Sequence, residues 1–149
     1  MIELNNASIS NSWVLDTGCG THICFNVQGL TRNRRLRPGE LDLIMGNKDV
    51  APVEMIGDYK LYFDSGLYIV LGNVCYSANM ARNIMSFNAL YLDGFDFKFD
   101  NGSILVYKDN MFYFKASPYK GILETTVSLC DSSILNIDSS KNGLDKTYL

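Results

Sequence analysis

Asp16, Thr17 and Gly18 follow the apolar run Trp13-Val14-Leu15, an order that places a carboxylate at the tip of a buried strand. Gly18 lets backbone amides approach that carboxylate, and the Thr17 hydroxyl is placed to bond neighbouring loops and stiffen the turn. Activating water for attack on a peptide bond takes two facing carboxylates, and the chain holds one such triplet. The chemistry therefore demands a symmetric homodimer, with Asp16 of each subunit facing its mate across the two-fold axis. Carboxylates that close share one proton and titrate as a unit. The ionised member takes a proton from water, while the protonated one donates to the scissile carbonyl and then assists the departing amine. A β-hairpin must also close over the substrate and exclude water. The stretch 41–57, carrying Met45 and turning at Gly46-Asn47-Lys48-Asp49, is the candidate flap and groove wall.

Other chemistry-bearing residues fit less well. Cys19, His22 and Cys24 are zinc-type donors, but Cys-x2-His-x-Cys is a poor spacing and no fourth ligand is nearby. No metal and no cofactor are expected. His22 is expected to make a structural hydrogen bond near the Asp16 loop. A Cys–His nucleophilic pair lacks any feature that would activate the thiol, and Gly18-Cys19-Gly20 lacks the third glycine and following helix of a dinucleotide site. Arg32, Arg34, Arg35 and Arg37 could hold an acidic peptide or phosphates, although a solvated loop accounts for them. Trp13 and the many Tyr and Phe residues are not interleaved with basic residues, so they read as core and groove lining rather than a base-stacking platform.

The elements that must position these residues are short strands. A length of 149 residues, 47% hydrophobic and 19% charged, suits one domain with a real core. A net charge of -3 and a pI near 5.0 give no global attraction for nucleic acid or an anionic membrane. Four cysteines, with no signal peptide and no apolar stretch long enough to span a bilayer, point to an intracellular protein with reduced thiols. Aromatic and β-branched runs broken by Gly, Asn and Asp predict strands over 12–15, 40–45, 53–56, 59–63, 68–71, 95–99, 104–107 and 111–115. Turns fall at 46–49, 64–66 and 100–102. Ile84, Phe87 and Leu90 or Tyr91 lie three to four apart, which predicts a short helix over 83–92 capped by Asn83. Beyond Val127 the composition predicts a flexible tail or the start of a linker.

The run Trp13-Val14-Leu15-Asp16-Thr17-Gly18-Cys19-Gly20-Thr21-His22 resembles the protease start in the Pol polyprotein of copia-type LTR retrotransposons. Met45-Gly46-Asn47 with Ile56-Gly57 is similar to that family's glycine-containing hairpin. Leu71-Gly72-Asn73-Val74-Cys75-Tyr76 and Arg82-Asn83-Ile84-Met85-Ser86 follow in the family's order. Asn83 to Leu90 also resembles the strand-to-helix element near the end of retroviral proteases. There Ser86 takes the place of a Gly and Phe87 that of a dimer-stabilising Arg, for which Arg82 is the candidate substitute. The similarity covers about 12–99, and 100–127 loosely resembles the region leading toward integrase.

The resemblance implies an all-β fold, a retropepsin-like acid protease barrel with one short helix and extra carboxyl-terminal hairpins. Residues 1–100 would form the aspartic protease domain, 101–127 the additional hairpins of a pre-integrase start, and 128–149 the tail. It further implies a homodimeric aspartic endopeptidase, a peptide-bond hydrolase cleaving its own Gag-Pol type polyprotein, with Asp16, Thr17 and Gly18 catalytic. Trp13, His22, Asn83 and Ile84 would support the site. Membrane and nucleic acid are not expected partners. The expected location is the cytoplasm, or a virus-like particle where the element is active. The alternative is a catalytically inactive retropepsin-like β-barrel serving as a protein-interaction module.

Overall fold

The computed structural model describes residues 11–130. Most of the stretch expected as a tail therefore lies outside the described residues. In chain order the elements are β1 (Asn11–Asp16), β2 (Ile23–Cys24), a 3-10 turn (Val27–Gly29), β3 (Leu30–Arg35), β4 (Asp42–Ile44), β5 (Val50–Pro52), β6 (Met55–Tyr62) and β7 (Tyr68–Tyr76). There follow β8 (Asn83–Ser86), the helix α1 (Phe87–Leu92), β9 (Asp96–Asp100), β10 (Ser103–Lys108), β11 (Met111–Tyr119) and β12 (Ile122–Val127).

One 10-stranded sheet runs β9-β10-β11-β12-β1-β8-β2-β7-β6-β3, and β4 and β5 form a separate two-stranded hairpin. The large sheet is mixed but mostly antiparallel, with parallel pairs at β1–β8 and β2–β7. Its end strands, β9 and β3, do not pair. The expected closure into a retropepsin-like barrel is therefore corrected to an open sheet with one short α-helix. The nearest approach to closure is an isolated bridge, Tyr62 to Ser128, whose two backbone bonds of 2.9 Å join one residue pair and no ladder.

Strand alternation builds the core. Gly57, Tyr59 and Leu61 of β6 face inward opposite Ile69, Leu71 and Val74 of β7. Trp13 and Leu15 of β1, Met85 of β8 and Val106 of β10 belong to the same buried cluster. Phe63 stacks on Phe114 of β11 with centroids 4.6 Å apart, so the hairpins beyond residue 100 pack on the core that β1 and β6 share.

Two bulges flank β6. Arg32 and Asn33 stand opposite the single position between the pairs Thr31–Asp58 and Arg34–Ile56, and Gly72 and Asn73 face the one position between Gly57–Val74 and Tyr59–Leu71. Arg32 and Asn73 take the left-handed conformation that such bulges use, with φ of 47° and 54°. Gly57 is required between them, because a Cβ there would lie 2.7 Å from the Thr31 carbonyl oxygen and 2.9 Å from Asn33 Cβ. Arg32, Arg34 and Arg35, expected as a loop, thus lie on an edge strand where the Arg32 guanidinium donates to Asp58 at 2.9 and 2.5 Å, while Arg37 lies in the loop beyond it.

The helix is shorter than its apolar spacing suggests. Asn83 to Ser86 pair in parallel with Trp13 to Asp16, and ladder bonds to a buried strand prevail over helical period there. Ser86, rather than Asn83, caps the helix and accepts from the Ala89 amide at 3.0 Å.

Candidate functional site

The apolar run before Asp16 forms β1, with Trp13, Val14 and Leu15 all buried. β12 and β8 flank it on both sides. Asp16 ends the strand half-exposed, and its Oδ1 accepts from the Gly18 amide at 2.7 Å, closing a tight Asx-type turn. A Cβ on Gly18 would stand 3.4 Å from that same oxygen, so the glycine permits the close approach. Thr17 is exposed, and no described group shares a hydrogen bond with its hydroxyl.

Residues from the other end of the domain hold the loop instead. The Ser86 hydroxyl donates to the Cys19 carbonyl at 2.7 Å, and the Ser86 amide donates to Nδ1 of His22 at 3.0 Å. Asn83 Oδ1 accepts from the Phe25 amide at 3.1 Å. His22 therefore makes a structural hydrogen bond beside the Asp16 loop, and Asn83 clamps the chain just past β2. Burial pushes the His22 pKa down to about 4, with the Asp93 carboxylate acting in the opposite direction. The imidazole is neutral at pH 7, Nδ1 is the acceptor, and the ring proton sits on Nε2.

Trp13 packs edge-on to Tyr59 at 5.0 Å, and its indole N–H has no hydrogen-bond partner among the described residues. Ile84 packs on the small cluster of Ile23, Ala51 and Met80. Cys19 from the Asp16 loop and Leu43 and Met45 from the β4–β5 hairpin reach the same cluster. The hairpin turns over Gly46, Asn47, Lys48 and Asp49 as expected. The Met45 amide donates to the Asp49 carbonyl at 2.8 Å, and Lys48 has a φ of 72°. Its base is therefore anchored in packed apolar side chains.

Expectations of aspartic endopeptidase activity are overturned by this geometry. Among the described residues no second carboxylate is set against Asp16 as a dyad, and no three His, Cys, Asp or Glu side chains converge on one point. The open sheet does not form the enclosing barrel of such an active site. β1, paired on both sides by its own chain, has no edge to share with a second subunit. The assignments as enzyme, hydrolase and polyprotein-cleaving protease fall with the dyad.

Two surface depressions attracted no notice from sequence. One, of about 450 Å³, lies between β7 and α1, with His22, Val70, Gly72, Asn73, Leu92 and Asp93 among its walls. The other, of about 370 Å³, is lined by Phe87, Tyr91, Asp96, Phe97 and Phe99. The available signal was Tyr91-Leu92-Asp93 at the helix end, where two large apolar residues precede an acid placed unfavourably for the helix dipole.

Comparison with protein families decides the affiliation. The family described as Pol polyprotein, beta-barrel domain, matches residues 13–95. The chain belongs to that family. The match contains Asp16, the β4–β5 hairpin, the two bulges and α1, and it places the ordered motifs of the copia-type resemblance in a Pol polyprotein domain. A retropepsin identity is not part of it. Comparison with curated proteins and with solved structures finds no match. No helix among the described residues is long and apolar enough to cross a membrane.

Proposed function

We propose that this Pol polyprotein domain is a non-catalytic docking module that binds extended polypeptide. The observation carrying the proposal is the open sheet, with large apolar side chains beside strand edges on which no described strand lies. Phe99 on the end strand β9 is 77% exposed, and Leu92 on α1 is 76% exposed. A free strand edge offers a row of backbone donors and acceptors, and adjacent apolar surface adds affinity. Asp16, Thr17 and Gly18 then serve as the turn that ends β1, and the hairpin carrying Met45 to Asp49 serves as a packed wall.

The family unit ends near residue 100 in this reading, and the hairpins over 101–127 extend its sheet. The four free cysteines suit a reducing compartment, which supports the cytoplasm or a virus-like particle as the place of action. Polypeptide is the favoured partner over nucleic acid, since Arg32 and Arg34 are taken up by Asp58 and Glu40. Homodimerisation remains part of the proposal only as one form of polypeptide binding.

Selection from an unbiased peptide display library, followed by calorimetry on the enriched sequences, tests this reading. Enrichment of β-prone peptides that bind the folded domain without being cleaved is expected. Failure to enrich any peptide would overturn it, as would preferential binding of single-stranded nucleic acid that disappears when Arg35 and Arg37 are neutralised.

A further inference from the structure

The strand β7 is covered unequally along its two sides. β6 pairs with it from Tyr68 to Tyr76, whereas β2 reaches only Cys75 and Tyr76 on the other side. Residues 68–73 therefore present an edge on which no described strand lies, and the bulge at Gly72 and Asn73 ends it. The 450 Å³ depression lies along this half-edge, and α1 forms its opposite bank.

Polar groups in the depression are few and complementary. His22 is only 5% exposed, its Nδ1 is occupied by the Ser86 amide, and no described group accepts from its Nε2–H. The neutral state of the ring makes Nε2–H a fixed single donor at pH 7. At the rim the exposed Asp93 has no ion pair among the described residues; Lys108 lies over the Phe95 ring at 4.9 Å instead. Val70, Leu90 and Leu92 supply apolar wall.

Resting on the docking reading above, we propose that an extended peptide adds as a strand to the open half-edge of β7. One aliphatic side chain would fill the space between Val70 and Leu92, a Lys or Arg would meet Asp93, and a main-chain carbonyl would accept from His22 Nε2–H. Strand addition supplies backbone affinity that any sequence can provide, and the aliphatic pocket and acidic rim supply the selection. The occupant is a basic–aliphatic segment, matched by charge to a site carrying a carboxylate and no cation pair.

The test is an amide-shift titration of the full chain with the capped hexapeptide Ac-Thr-Val-Leu-Lys-Val-Thr-NH2, its Lys→Glu counterpart, and a version N-methylated at alternate residues. Shifts at 68–73 and Ala89, with about threefold weaker binding of the Glu peptide and loss of binding on N-methylation, are expected. Leu92→Ser should weaken binding about tenfold and Asp93→Asn about threefold. Both positions are exposed, so an unchanged spectrum without peptide certifies the fold. Equal binding of all three peptides, or shifts confined to β3 or β9, would overturn the site while leaving polypeptide docking in place. Concentration-dependent shifts at 68–73 without peptide would assign the edge to a second copy and also overturn it. No binding of any of the three peptides overturns the site, whereas the docking reading itself is removed by failure of the display selection or by the arginine-dependent preference for single-stranded nucleic acid described above.

Discussion

Burial keeps His22 neutral down to about pH 4, against an ordinary value of 6.5. In the unfolded chain the ring protonates near 6.5, so between these values the unfolded state holds the extra proton and folding weakens as pH falls. The contribution is fully present above pH 6.5 and is lost progressively toward pH 4. A depression of this size corresponds to about 3 kcal/mol. Denaturant titrations at pH 7 and pH 4 should show wild type losing about that much more stability than His22→Gln, which has no proton to take up. Equal losses would place the acid sensitivity elsewhere. Thiols follow the same logic: burial pushes Cys24 up to about 12 and raises Cys75, while Cys130 is exposed. Iodoacetamide at pH 8 should label Cys130 and spare Cys24 and Cys75 until the protein unfolds. The Asp16-Thr17-Gly18 turn was legible because its bonds are local. The role of Ser86 was not, and Asn83, expected near the site, was also expected to make the helix cap that Ser86 takes; the partners Cys19, His22 and Phe25 are distant in sequence.

Elements with a buried and a wet face declared themselves. β6 and β7 show the alternation that marks half-buried strands, and the turn between them carries Gly66 at positive φ; in β9 the same sequence alternation does not become burial, since Phe97 is only half-buried and Phe99 is exposed. β3 did not declare itself, because every residue after Leu30 is exposed and a bulge interrupts its period. Asn83 to Ser86 carried a helical spacing that the parallel ladder with β1 overrode. Gly57 looked like a break between two strands and is instead the point where neighbouring backbone comes closest within one. Gly57→Ala should therefore cost about 2 kcal/mol, read from the denaturation midpoint, since backbone atoms on β3 must move. Ser86→Ala removes the helix cap and leaves the Cys19 carbonyl unpaired, and should cost about 2 kcal/mol. A neutral effect at either position would contradict the packing described.

Across the whole molecule, the sequence motifs located the Pol polyprotein domain correctly, while barrel closure and a paired carboxylate did not follow from them. Closure depends on whether the first and last strands of a sheet meet, a long-range property that local periodicity does not encode. A dyad depends on what faces Asp16, and one triplet read alone supplies only half of it. Among the described residues no further strand lies on the outer edges of β3 and β9 or along half of β7, and it is on these edges that the docking proposal rests. The most direct measurement is mass spectrometry of an unbiased peptide library incubated with wild type and with Asp16→Asn at about pH 5 and at neutral pH. The account predicts identical peptide termini in both samples at both pH values. New termini that appear with wild type and vanish with Asp16→Asn would contradict it.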